Sequence, residues 1–163
     1  IANGARAVPV IIATTVIFGV LLGFADQRAK RIENAIAVVS VRHALLIGLA
    51  QALALIPGTS RSGVTITAAL FLGYHPASAT RFSFLLSVPV IGGALLMMVT
   101  SFTGDVGTIG LDKLIVAFLV SAVFAHVTIR GFLYLLERLG LLPFVVYRLL
   151  LGLLLWIWLT PGF

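Results

Sequence analysis

Uncharged apolar runs of membrane-crossing length decide most of what this chain can become. Ala7 to Ala25 holds 19 residues without a charge, and at a rise of about 1.5 Å per residue such a helix crosses a hydrocarbon core of roughly 30 Å. Phe82 to Phe102 is a second run, of 21 residues. Leu114 to Leu136 is a third span, apolar but for His126 and Arg130, which lie one turn apart on one face. Pro143 suits the first turn of a last span reaching Thr160, with Arg148 inside it and Trp156 and Trp158 as an interfacial belt near its far end. Only 10% of the 163 residues are charged and 61% are apolar, with a mean hydropathy of +1.19. A water-soluble domain carries about a quarter charged residues, and a disordered chain lacks this apolar content. The expected class is therefore an all-α, polytopic membrane protein.

Residues 43–74 break the pattern. The apolar run from His43 to Ile56 has 14 residues and ends at Pro57, and the run from Val64 to Tyr74 has 11. As helices these reach about 21 Å and 16 Å, so neither spans alone. Between them lies Pro57, Gly58, Thr59, Ser60, Arg61, Ser62, Gly63. A helix-loop-helix hairpin that enters and leaves on one side would carry this loop to mid-depth, where irregular backbone is tolerated only inside protein or beside a wet cavity. The competing reading is one long helix kinked at Pro57. Two breakers and a cation load such a helix heavily, so the re-entrant hairpin is preferred. The architecture expected over residues 1–163 is a single transmembrane domain of about four spans plus this hairpin.

The 11 Lys and Arg against 5 Asp and Glu give a net charge of +6. They sit between apolar runs, where bases orient helices, and they form no stripe interleaved with exposed aromatics, so nucleic acid is not an expected partner. The segment from Asp26 to Arg42 is expected as a hydrated loop or interfacial helix. Placing it in the cytoplasm also places Arg81, Arg130 and Arg138 there, leaving Arg6 and Lys113 with Asp105 and Asp112 opposite. Both chain ends then face away from the cytoplasm. Cysteine is absent, which excludes thiolate chemistry and disulfides. The chain opens on Ile1 rather than Met and reads as a fragment or processed piece.

The loop is where chemistry concentrates. Hydroxyls of Thr59, Ser60, Ser62 and Thr65 surround Arg61, and Gly58 and Gly63 permit a sharp turn and close approach to a ligand. A half-helix expected to start just after Gly63 aims its free N–H groups and positive dipole end into the loop. With a guanidinium fork matched to phosphate oxygens, these parts make a phosphate cradle. The plainer reading has Ser60 or Ser62 capping the helix and Arg61 paired with a carboxylate. No GxxxxGK[ST], HExxH or other metal-ligand spacing occurs, and Thr67 stands where a SRxxxxxHxxxD phosphatase signature requires His.

PGTSRSGVT at Pro57 to Thr65, FSFLLSVPV at Phe82 to Val90 and LPFVVYR at Leu142 to Arg148 together resemble the C-terminal half of the bacterial undecaprenyl-diphosphatase family, the bacitracin-resistance phosphatases. The resemblance covers nearly the whole chain. It implies a multi-pass inner-membrane enzyme that removes one phosphate from undecaprenyl diphosphate and so recycles the carrier lipid of peptidoglycan synthesis. The site would open to the periplasmic face and use a divalent cation, Mg²⁺ or Ca²⁺. It also implies half of an inverted-repeat architecture, with two re-entrant hairpins meeting at the centre. Carried onto this chain, Arg61, Ser60, Ser62 and Thr65 are the catalytic candidates, and Gly58, Thr59 and Gly63 the substrate-binding ones. The family's other half-site, with paired acidic residues and a His-bearing Ser-rich segment, has no counterpart here. Metal ligands, general base and nucleophile are therefore expected from an absent N-terminal half, and the chain alone is expected to be inactive. A homo-oligomer is left open.

A lipid-phosphate carrier or flippase, or another anion transporter, would use the same cradle without chemistry, and a structural membrane subunit would keep the loop occluded. Among single residues, His126 reads as one satisfied hydrogen bond inside the bundle and Arg130 as a snorkelling cation. Arg148 reads as an interfacial head-group contact or structural pair. His43 and His75 flank the hairpin near the membrane surface. Ser83 and Ser87 read as close packing, and less as cavity lining. Gly19 and Gly23 form a small-xxx-small helix contact.

Overall fold

The computed structural model describes residues 2–32, 36, 38–101 and 110–159. These form six α-helices: α1 Ala2–Ala29, α2 Val41–Ala50, α3 Arg61–Phe71, α4 Pro76–Ser101, α5 Leu111–Leu139 and α6 Leu142–Leu159. A 3-10 turn, Gln51–Leu55, follows α2. Among the described residues there is no strand, only an isolated bridge between Ile36 and Tyr74. Three helical stretches are long and apolar enough to cross a membrane, Val8–Ala29, Pro76–Ser101 and Asp112–Leu139. The chain is thus an all-α membrane protein. The fourth expected span, α6, has 18 residues, about 27 Å of helix, and ends where the described residues end. Glu33, Asp105 and most of the polar loop after Phe102 lie outside the described residues.

Helix boundaries depart from the apolar runs for local reasons. α1 continues past Ala25 to Ala29, so Asp26 and Arg28 are helical rather than in a loop. Asp26 is 2% exposed, and its Oδ2 lies 2.6 Å from Lys30 Nζ one turn on, a spacing that supports helix. α4 starts at Pro76, the position where a missing N–H costs nothing. His75 precedes it, and its Nδ1 accepts from Ala77 N at 3.3 Å.

α1 packs along α6 and α3, and α3 packs against α2 and α4. The α1–α6 seam is built on small residues. A Cβ on Gly19 would lie 3.4 Å from Arg148 Cβ, and one on Gly23 3.2 Å from Val145 Cγ1, which bears out the close contact expected of that pair. The core gathers Leu22, Ala25, Ile47, Leu70, Tyr74 and Leu141. Beyond it, residues 91–101 of α4 and 112–130 of α5 are exposed along their whole length. His126, expected to be satisfied inside a bundle, lies on that exposed arm among the described residues.

α2 and α3 fold back on one another. Their far ends are tied together, with Tyr74 Oη 2.8 Å from His43 Nδ1, Ile36 N donating to Gly73 O at 2.9 Å and His75 N to Ile36 O at 3.2 Å. At the tip, Thr14 Oγ1 donates to Pro57 O at 2.7 Å and Thr15 Oγ1 to Gly58 O at 3.3 Å. Thr15 lies 14 residues before the end of α1, so the tip meets α1 about 21 Å from that end, inside its membrane-length stretch.

Candidate functional site

Proline and glycine shape the tip. Thr59 N donates to Ile56 O at 3.2 Å, and Gly58, the third residue of that turn, has φ +84°. Pro at the second position and a positive φ at the third define a type II turn. Gly58 is required twice over, because a Cβ there would also stand 2.6 Å from Ile11 O and 2.7 Å from Ile11 Cα.

The turn delivers the chain to Ser60, whose extended backbone, φ −72° and ψ 124°, makes it the N-cap of α3. Its Oγ accepts from Gly63 N at 3.1 Å. α3 therefore starts at Arg61, three residues before the expected Val64. A serine hydroxyl can satisfy an orphan N–H of the first turn, whereas the apolar run that suggested Val64 marks only where the helix becomes buried. Arg61, Ser62 and Gly63 are consequently first-turn residues. The backbone N–H groups of the first turn other than that of Gly63 find no intrahelical acceptor, and they share the turn with the hydroxyl of Ser62.

Each expected site residue can now be located. Arg61 is half-buried and lines a cavity of about 300 Å³ with Ser62, Thr65, Ser83, Phe84 and Ser87. Among the described residues the ion pairs are Lys30–Asp26 and Arg81–Glu137, so Arg61 holds no carboxylate there. Thr65 is buried, and its Oγ1 lies 2.6 Å from Ser83 Oγ of α4. Ser62 Oγ lies 3.3 Å from Ser60 Oγ. Thr59 Oγ1 is buried without a hydrogen-bond partner among the described residues.

Four residues that sequence reasoning missed or placed elsewhere meet this site. Thr14 and Thr15 hold the tip carbonyls. Ser83 bonds to Thr65 rather than serving packing alone. The largest change concerns Arg148, which was expected as an interfacial head-group contact or a structural pair. It sits at the tip, its Nη2 donating to Gly58 O at 3.1 Å. A Cβ on Gly63 would be 2.8 Å from Arg148 Nη1, so the guanidinium lies against the first turn of α3. The available signal was an Arg within an otherwise uncharged run, which in a membrane span points to function.

Among the described residues no three His, Asp or Glu side chains converge as metal ligands, and the loop itself contains none. The residues present do not by themselves fit a divalent cation.

Fold and site define an all-helical membrane protein with a cationic, hydroxyl-rich helix start enclosed among its helices. The chain belongs to the family of bacitracin resistance protein BacA, whose profile matches residues 1–154. It is 53% identical over 155 residues to an undecaprenyl-diphosphatase of Alcanivorax borkumensis, covering 95% of this chain and 58% of that protein. Identity to the undecaprenyl-diphosphatase of Chromohalobacter salexigens is 49% over 153 residues, covering 94% and 57%. For that of Teredinibacter turnerae it is 50% over 157 residues, covering 93% and 57%. The chain thus spans less than three-fifths of these relatives' length.

Proposed function

We propose that this chain is the phosphate-holding C-terminal half of an undecaprenyl-diphosphatase, which hydrolyses the lipid diphosphate to the monophosphate and inorganic phosphate. The observation that carries the reading is Arg61, without a carboxylate partner among the described residues, in the first turn of α3 beside Ser62 and Thr65, within a family whose relatives bear that activity's name. In the reaction, water or a hydroxyl attacks the terminal phosphorus, the bond to the bridging oxygen breaks, and the prenyl phosphate leaves. Negative charge shifts during that transfer, and Arg61 with the free N–H groups of the first turn meets it without reorganising. Ser62 donates to the same group. Ser60 acts by capping the helix and so fixing Arg61, and Thr65 by holding α3 to Ser83. Gly58, Thr59 and Gly63 shape the approach.

The nucleophile, the general base and the ligands of a divalent cation, Mg²⁺ or Ca²⁺, fall in this reading to the part of the relatives' length that this chain does not span. The hairpin is re-entrant. The Ala29 end of α1, the start of α4 and the end of α5 share one end of the molecule, around a cavity lined by Asp26, Lys30, His75, Glu137 and Arg138. The bases there orient that end to the cytoplasm, so the loop opens to the periplasmic face of the inner membrane.

The test is phosphate release from undecaprenyl diphosphate by the full-length protein in detergent. Arg61→Ala is expected to lower kcat by about 10²- to 10³-fold, the range for removing one transition-state donor. Unchanged release in that variant, or translocation of the lipid across vesicles with no phosphate released by the wild type, would overturn the proposal.

A further inference from the structure

Arg148 has more donors than its structural contact uses. One N–H goes to Gly58 O, whose other lone pair is taken by Thr15. Nε is buried and has no partner among the described residues, and Nη1 lies against Gly63. Tying down a carbonyl needs only one donor, and a guanidinium among apolar walls needs an anion. The ion pairs among the described residues leave Arg148 out.

The group faces its own cavity of about 310 Å³, on the other side of the first turn of α3 from the Arg61 cavity. The two differ in character. Around Arg61 the walls carry the hydroxyls of Thr65, Ser83 and Ser87. Around Arg148 they are mostly apolar, with Leu22, Ile66, Phe132, Phe144 and Leu151, and the polar side chains other than Arg148 itself are Thr15, Ser60, Ser62 and Tyr147. Ser62 lines both cavities, so the two meet at one helix start.

We propose that Arg148 is a second phosphate-binding residue: with Ser60 it forms the subsite for the phosphoryl group that carries the isoprenoid, while Arg61 with Ser62 holds the terminal phosphoryl group. Apolar walls beside a single guanidinium suit a phosphate monoester with a hydrocarbon substituent. The hydroxyl-rich cavity suits the group released as inorganic phosphate. The assignment rests on the phosphatase reading, yet makes a claim about binding that stands apart from turnover.

The experiment compares Arg148→Gln and Arg148→Lys with wild type in the full-length protein, using farnesyl monophosphate and inorganic phosphate as separate ligands, by direct binding and by competition in the hydrolysis assay. In Arg148→Gln the dissociation constant of the prenyl monophosphate is expected to rise about 10- to 100-fold, the worth of a charge-assisted hydrogen bond, and that of inorganic phosphate to change less than about twofold. Lys, a point charge without the fork, is expected to fall between, and it provides the reading if the Gln variant does not fold. An unchanged monophosphate constant, or equal weakening of both ligands, would overturn the proposal, the second because it marks a loop held in place and nothing more. If wild type hydrolyses no lipid diphosphate yet Arg148→Gln still loses the prenyl monophosphate selectively, the subsite stands and the phosphatase reading falls.

Discussion

Replacing Gly58 by alanine strikes the tip where two independent constraints meet. Its φ of +84° is unfavourable for an L-residue by about 1–2 kcal/mol. A Cβ would also stand 2.6 Å from Ile11 O and 2.7 Å from Ile11 Cα. Those are backbone atoms of α1, which cannot rotate away as a side-chain end can. Overpacking of this kind costs about 1–3 kcal/mol, so the sum is about 2–5 kcal/mol. In a protein of this size that lowers Tm by roughly 5–15 °C. Thermal unfolding of the full-length protein in detergent, followed by circular dichroism, reads the stability. Phosphate release reads the site, where displacement of the loop by about 1 Å costs about a hundredfold. Gly48→Ala is the control, because a Cβ there meets nothing within 4 Å; it is expected to be neutral or to stabilise by about 0.5–1 kcal/mol. A Gly58→Ala protein that melts within about 2 °C of wild type and keeps its activity would refute the placement of the tip against α1.

Gly63→Ala should separate stability from function: the nearest obstacle is the end of the Arg148 side chain, so Tm is expected to hold within about 3 °C, while phosphate release falls about 10- to 100-fold as the guanidinium is displaced. Thr65→Val removes the partner of buried Ser83 Oγ at 2.6 Å and should destabilise by about 1–3 kcal/mol, and a double-mutant cycle with Ser83→Ala should show coupling of about 0.5–1.5 kcal/mol in thermal unfolding. Arg81→Ala should change stability by less than about 1 kcal/mol, since the Arg81–Glu137 pair, 3.2 Å apart, is 63% and 54% exposed; a larger loss of Tm would show that the pair is sheltered in the full-length protein.

The spans were legible because hydropathy over about twenty residues leaves little choice in a bilayer. The two short runs around Pro57 likewise announced an interruption. Boundaries were less legible: charges at Asp26 and Arg28 suggested a loop or a separate interfacial helix, but an i,i+4 pair with Lys30 lets α1 run on. The start of α3 was hidden because capping by Ser60 is a matter of backbone conformation, and hydropathy does not report it. Arg148 was hidden for a different reason. It lies 90 residues from Gly58, and only the packing of α6 along α1 shows that the two meet. The exposure of His126 among the described residues was not legible, because a single sequence does not say which helix faces pack.

The glycine seam between α1 and α6 also bears on entropy. Where a Cβ on Gly19 would stand 3.4 Å from Arg148 Cβ, the stem of the arginine leaves a tightly packed helix contact and enters a walled cavity with few rotamers open to it. A free arginine surrenders up to about 2 kcal/mol of side-chain freedom when it is fixed on a ligand. Here much of that loss falls within folding, so an anion arriving at the loop meets a charge already in place.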